Sequence, residues 1–270
     1  MKTPLSYAGG KSRFLKQLDE NTPNLQNVNN FYDLFLGGGS FSIYISKKYP
    51  HLNIYVNDLN TNLINFWKTL QNQSDDLIDK LIYIKNYKSK DDVKEIIFNL
   101  KKNKINNNFD RAVGYYITNK CSFAGTTESG GFSNWNFDKK FNVNNIKKLE
   151  IIANDIKNWI ITNSDYKDIK IKNNSFIYLD PPYNIKAKLY GKNGILHKEF
   201  DFINFINFTK QINQDCLISF NDDSLLDYFN DWIITKHSHT YLMRTDKKYI
   251  QKQKKHLEVL IKNYQITREK

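Results

Sequence analysis

Four short groups of residues have the types and spacing of a chemical site. Asp180, Pro181, Pro182 and Tyr183 follow the apolar run Phe176 to Leu179. Two consecutive prolines have no backbone N–H to give a sheet ladder, so the run must end there in a stiff loop. The loop offers a carboxylate, carbonyls that no ladder consumes, and an aromatic face; taken alone, it could also be an ordinary proline-rich turn. Gly9, Gly10 and Lys11 open the chain. Paired glycines let backbone N–H groups approach a ligand and Lys11 adds a positive charge, although the spacing is not that of a Walker loop. Gly37, Gly38, Gly39 and Ser40 form a third group. The fourth is Asp58, an acid at the end of an apolar run, which can hydrogen-bond ribose hydroxyls or cap the helix that follows.

These groups need a parallel sheet to bring them together. Asn30 to Leu36 and Asn53 to Asp58 read as strands, and Phe41 to Lys48 as the helix between them. This strand, glycine loop and helix open a Rossmann-like unit. It lacks the full G-x-G-x-x-G of dinucleotide enzymes, because Phe41 and Ser42 stand near the last glycine position. Phe176 to Leu179 reads as a buried parallel strand, and ligands of open α/β sheets bind just beyond such strand ends. Phe200 to Ile212 reads as a helix, with strands at Cys216 to Phe220 and Trp232 to Lys236. His256 to Tyr264 alternates as a closing edge strand.

From Thr61 to about Ile169 the pattern changes. Leu63 to Leu70, Asp76 to Ile84, Asp91 to Leu100 and Phe109 to Thr118 carry helical periodicity. They alternate with Asn- and Lys-rich loops. Asn119 to Asn136 mixes small polar residues, glycines and aromatics without periodicity, which suits a long loop that touches a partner. Lys186 to His197 is a polar loop that could close over the site.

The chain has 270 residues and a formal net charge of +12. That excess favours a polyanionic partner, though an AT-rich codon bias also raises lysine. Lys236 to Lys255 concentrates the charge, with seven Lys or Arg against the single acid Asp246 and with Tyr241 and Tyr249 interleaved. Such a stretch fits phosphate-backbone contact. Two cysteines, without CxxC or a histidine cluster, support neither a disulfide framework nor a metal site. They fit a reducing, intracellular setting. No apolar run is long enough to span a bilayer.

Read in order, Tyr7 to Lys11, Asp33 to Ser40, Asn57-Asp58, Asp180 to Tyr183 and Leu257 to Tyr264 resemble the Dam-like, D12-class (alpha-type) DNA adenine-N6 methyltransferases. The resemblance covers nearly the whole chain. It implies a Rossmann-like methyltransferase fold, discontinuous over 1–60 and 170–270, with a mostly helical target-recognition insert over 61–169. It implies S-adenosylmethionine (SAM) as cofactor and double-stranded DNA as substrate, with no metal. The adenine amine is a poor nucleophile because its lone pair is delocalised into the ring. Asp180 and the Pro181 carbonyl would accept its hydrogens and free the lone pair for in-line attack. Tyr183 would stack on the flipped base and Pro182 would fix the loop. By the same resemblance Tyr7, Lys11, Asp33, Asp58 and Asp180 contact SAM, with Phe35, Gly37 and Gly39 shaping its pocket. DNA contacts fall to Phe123, Thr126, Glu128, Arg244, Lys252 and Lys254, and a cognate restriction endonuclease is an implied partner.

One departure concerns specificity. Enzymes of this group that read GATC place Arg where this chain has Glu128. Arginine reads guanine, whereas a carboxylate can only accept a hydrogen bond, so a site other than GATC is expected. Two rival readings are a cytosine-N4 methyltransferase, which uses the same geometry on another exocyclic amine but more often carries Ser in place of Asp180, and a DNA-binding module with an inactive SAM site.

Overall fold

The computed structural model describes residues 3–7, 9–123, 127, 130–182, 200–220, 226–240 and 255–266. Its centre is β4 (Ser175–Leu179), buried along its whole length. Phe176 and Tyr178 point into one hydrophobic layer, and Ile177 and Leu179 into the other. A strand covered on both faces must be apolar at every position, which is why this run shows no alternation.

Strands β1 (Asn30–Asp33) and β4 lie side by side in parallel. β1 also pairs in parallel with β2 (Asn53–Asn57), and β2 with β3 (Ile160–Thr162). On the other side β4 pairs in parallel with β5 (Asp215–Phe220). β6 (Ile233–Thr240) and β7 (Lys255–Lys262) complete seven strands in the order β3-β2-β1-β4-β5-β7-β6. β7 is antiparallel to both of its neighbours. The expectation of β7 as the edge strand is therefore corrected. The chain runs out to the edge along β6 and returns between β6 and β5, which leaves Val259, Leu260 and Ile261 buried.

Helix α1 (Leu15–Glu20) precedes β1, and α2 (Ser40–Lys48) crosses from β1 to β2. Between β2 and β3 the chain forms α3 (Thr61–Asn72), α4 (Ser74–Tyr87), α5 (Lys90–Lys101) and α6 (Asn108–Cys121), then α7 (Asn134–Lys139) and α8 (Val143–Asp155). α3 packs on α6, α5 on α6, and α4 on α8. The Asn-rich loops here start helices. Asn60, Asn107 and Asn142 each cap one by accepting the N–H three residues on, an arrangement that satisfies a donor the helix itself leaves open. Residues 61–169 are thus mainly helical, but their last part supplies β3 to the sheet. α9 (Phe202–Lys210) lies between β4 and β5 in sequence and buries Phe205 and Ile206 in the second hydrophobic layer. No helix among the described residues is long and apolar enough to cross a membrane.

Candidate active site

The strand order reverses between β1 and β4, and the crevice beyond such a pair is where open α/β sheets bind ligands. A cavity of about 270 Å³ lies there. Tyr7, Lys11, Asp33, Phe35, Gly37, Gly39, Asp58, Asp180 and Pro182 all line it. Four segments far apart in sequence therefore meet in one place.

The glycine turn after β1 is shaped by contacts that exclude a side chain. Gly37 and Gly39 have φ of +46° and +67°, which residues with a Cβ rarely adopt. A Cβ on Gly37 would lie 2.9 Å from the Tyr7 ring, and one on Gly39 2.9 Å from the indole of Trp67. Trp67, wholly buried on α3, donates its Nε1–H to the Gly37 carbonyl at 3.2 Å. The first helix after β2 thereby props the turn from behind, while Tyr7 covers its front.

Asp58 fixes the same turn from β2. One of its oxygens accepts the Gly37 N–H and the other the Asn60 N–H, both at 2.9 Å. Burial raises its pKa, while those two N–H groups pull it down. The capping alternative for Asp58 is answered: Asn60 holds that position on α3.

Asp33, at the end of β1, is 2% exposed. Its carboxylate accepts from the Ser42 hydroxyl on α2 and from the Phe35 N–H at 3.2 Å. Burial pushes its pKa up to about 7, against the pull of Ser42, and the charge of Asp180 adds to the rise. Phe35 stands against Tyr166, Phe200 and Phe205, with ring centroids 5.2 to 5.9 Å away. The cavity so has an aromatic wall and an acidic floor.

At the end of β4, Asp180 accepts from the Lys11 ammonium at 2.7 Å. Lys11 also lies 3.2 Å from Glu258 on β7 and donates to the Gly9 carbonyl at 3.2 Å. Burial alone would lower the lysine's pKa, but Asp180 and Glu258 outweigh it and hold the group well above its ordinary value. The Asp180 carboxylate thus meets a fixed cation on one side and the cavity on the other. Pro181 is buried and Pro182 half-buried, facing the cavity. Tyr183 lies outside the described residues.

Phe123, past the end of α6, is 73% exposed and does not line the cavity. Its N–H donates to the Gly131 carbonyl at 3.2 Å, and Ser122 bridges to Phe132. Thr126, Glu128, Arg244, Lys252 and Lys254 lie outside the described residues, as does the loop 186–197. Sequence reasoning missed the lining residues Asp165, Tyr166 and Phe200, and missed Glu258 as part of the Lys11 cluster. Asp165 and Tyr166 follow a three-residue strand too short to show a pattern. Glu258 carried a usable signal, the one acid inside the apolar run Leu257 to Ile261.

A doubly wound sheet whose switch-point cavity joins a glycine turn, a second-strand acid and an Asp-Pro-Pro-Tyr loop is the frame of an amino-methyltransferase. The chain belongs to the D12 class N6 adenine-specific DNA methyltransferase family, which it matches over residues 7–262. It is similar to the type II methyltransferase M.MjaIII of Methanocaldococcus jannaschii, with 29% identity over 203 residues, 68% of this chain and 69% of that protein. It is also similar to the modification methylase StsI of Streptococcus sanguinis, with 26% identity over 231 residues. That match takes in 78% of this chain but only 34% of StsI. The chain is an adenine-specific DNA methyltransferase, and its acceptor is the N6 amine of adenine, not the N4 amine of cytosine.

Proposed function

We propose that the cavity holds SAM and that Asp180 and the Pro181 carbonyl receive the amine of an adenine flipped out of duplex DNA. The observation that carries this reading is the Asp180 carboxylate, fixed by Lys11 in the wall of the cavity. The residues present suit the cofactor's chemistry. Asp58 and Asp33 offer acceptors to hydroxyl and ammonium groups, the Gly37–Gly39 turn admits close backbone approach, and Phe35, Tyr166 and Phe200 offer faces to a purine. Five aspartates line the cavity, Asp33, Asp58, Asp165, Asp180 and Asp201, against the two lysines Lys11 and Lys167, an acidic excess that also favours a cationic ligand. When bound, SAM supplies an electrophilic methyl group on a sulfonium.

The chain's own residues do the rest. Two acceptors on the N6 hydrogens draw the nitrogen toward sp³ and free its lone pair. As the amine gains positive charge, the Asp180 carboxylate stabilises it. Tyr183 stacks on the base and Pro182 keeps the loop stiff, so that orientation is set before reaction. No covalent intermediate on the chain is required.

The helices between β2 and β3 are read as the target-recognition part. Phe123 is an exposed aromatic there, suited to fill the gap left by a flipped base. Lys120, buried at the end of α6, has its pKa lowered to about 8 by burial and by the like charges of Lys140 and Lys148. A DNA phosphate would meet the exposed Lys148 of this cluster and not the buried Lys120. Thr126, Glu128, Arg244, Lys252 and Lys254 complete the proposed DNA contacts. The site read is one other than GATC, because Glu128 can accept from a base but cannot donate to guanine. The names of the similar proteins, a type II methyltransferase and a modification methylase, suggest a companion restriction endonuclease. The free, buried Cys121 and Cys216 suit a reducing, intracellular setting.

Methylation of random-sequence duplexes with SAM, read by single-molecule sequencing and nucleoside mass spectrometry, tests this. N6-methyladenine at one defined motif other than GATC is expected. A plain GATC profile would overturn the reading of Glu128, and the absence of N6-methyladenine would overturn that of the site.

A further inference from the structure

Lys11 stands between two carboxylates, and only Asp180 belongs to the Asp-Pro-Pro-Tyr loop. The other, Glu258, comes from β7, the strand that returns between β5 and β6. The side chains of Lys11 and Glu258 are 5% and 7% exposed. Ser219 on β5 donates its hydroxyl to Glu258 Oε1 at 2.5 Å, the same oxygen that lies 3.2 Å from the lysine. Ser219 sits opposite Leu260, so Glu258, two residues away, projects from the same face of the sheet. Together Ser219, Glu258, Lys11 and Asp180 form a chain of polar contacts from the sheet interior to the cavity.

A buried acid costs stability unless it is paired, and one carboxylate already suffices to neutralise the lysine. The second acid needs a different explanation. Lysine is a point charge on a flexible stem, and a single partner does not fix its direction. With the Gly9 carbonyl, Glu258 and Asp180 at 3.2, 3.2 and 2.7 Å, the ammonium is held by three acceptors instead of one. The same arrangement divides its charge between two acids, so Asp180 keeps more of its negative charge for the reacting amine.

We propose that Glu258, held by Ser219, is a positioning residue for methyl transfer: it anchors Lys11, which in turn orients the Asp180 carboxylate and leaves it a strong acceptor. This rests on the reading of Asp180 as the acceptor of the adenine amine. The charged and titratable groups facing Lys11 are Asp180, Glu258 and Tyr178. Removing the Glu258 charge removes one of the groups that keep the lysine protonated.

The test compares Glu258→Gln, Ser219→Ala and Asp180→Ala with wild type in steady-state methylation of duplex DNA across a pH series. Glu258→Gln is expected to lower kcat by about tenfold or more, with KM for SAM and DNA within about twofold, because the lost interaction acts on the reacting geometry. The alkaline limb of kcat is expected at lower pH. Ser219→Ala is expected to give a smaller loss of the same kind, and it carries the test alone if Glu258→Gln does not fold. Wild-type kcat and pH profile in the folded variants, with Asp180→Ala inactive, would overturn the proposal alone. So would a loss of kcat that follows thermal stability and leaves the pH profile unmoved. An active Asp180→Ala would instead overturn the reading of Asp180.

Discussion

The Asp58 carboxylate accepts the backbone N–H of Gly37 at 2.9 Å, tying the end of β2 to the turn that follows β1. It thereby fixes the shape of the turn at the same cavity where it is proposed to meet the cofactor ribose. The two tasks are compatible, since each carboxylate oxygen has two lone pairs and the two backbone donors take one on each oxygen.

Asp58→Ala is therefore expected to weaken SAM binding above all. A ribose hydrogen bond is made in ground and transition states alike, so KM for SAM should rise, by about tenfold for one charge-assisted bond, with kcat less affected. Loss of the tie to Gly37 should also lower the melting temperature. Initial rates and calorimetric titration check this, and a less stable protein with unchanged SAM affinity would leave Asp58 a purely structural acid.

The glycine turn should tolerate a methyl group poorly where Trp67 backs it. Gly39→Ala places a Cβ 2.9 Å from a buried indole at φ +67°, and such strain costs about 1–3 kcal/mol. A Cβ on Gly131 would meet nothing within 4 Å, and that residue has no positive φ, so Gly131→Ala should be near neutral. Urea unfolding of the two variants gives the comparison, and equal stabilities would show that Trp67 can move aside.

Asp33 should make stability fall as pH rises through the weakly acidic range. Its pKa is about 7 in the folded protein, against the ordinary 3.8 of an aspartate. The folded state thus holds a proton that the unfolded chain has released. That contribution is fully present below pH about 4 and is lost by about pH 7. Asp33→Asn, which cannot ionise, should lose less stability than wild type between pH 5 and pH 8. Thermal melts at the two values measure it, and equal losses would mean that Asp33 is ionised throughout.

Much of this site was legible in the sequence because local chemistry and global position agree there. Phe176 to Leu179 followed by two prolines could hardly be anything but a buried strand stopped by a loop. The glycines at 37 and 39 and the acids at 33 and 58 sit where a Rossmann-like unit uses them. What was not legible depended on pairing across the sheet. β7 reads as an edge strand because His256 to Tyr264 alternates, yet its one acid, Glu258, is turned inward onto Lys11. β3 was missed because three residues carry no period. Asp58 could not be separated from a helix cap by sequence, since Asn60 offers the same oxygen chemistry two residues on.

The central claim is that Asp180 acts on the amine and does not merely complete the fold. Its side chain lines the cavity and is 21% exposed, so its removal empties no core. Transfer of a labelled methyl group from SAM to duplex DNA by Asp180→Ala, in protein shown to be folded by circular dichroism, tests this most directly. Loss of transfer by about a thousandfold or more is predicted, the scale of removing a preorganised electrostatic contact from a reacting centre. Incorporation within about twofold of wild type would contradict the account, because a contact made to the transition state cannot be lost at so small a cost in rate.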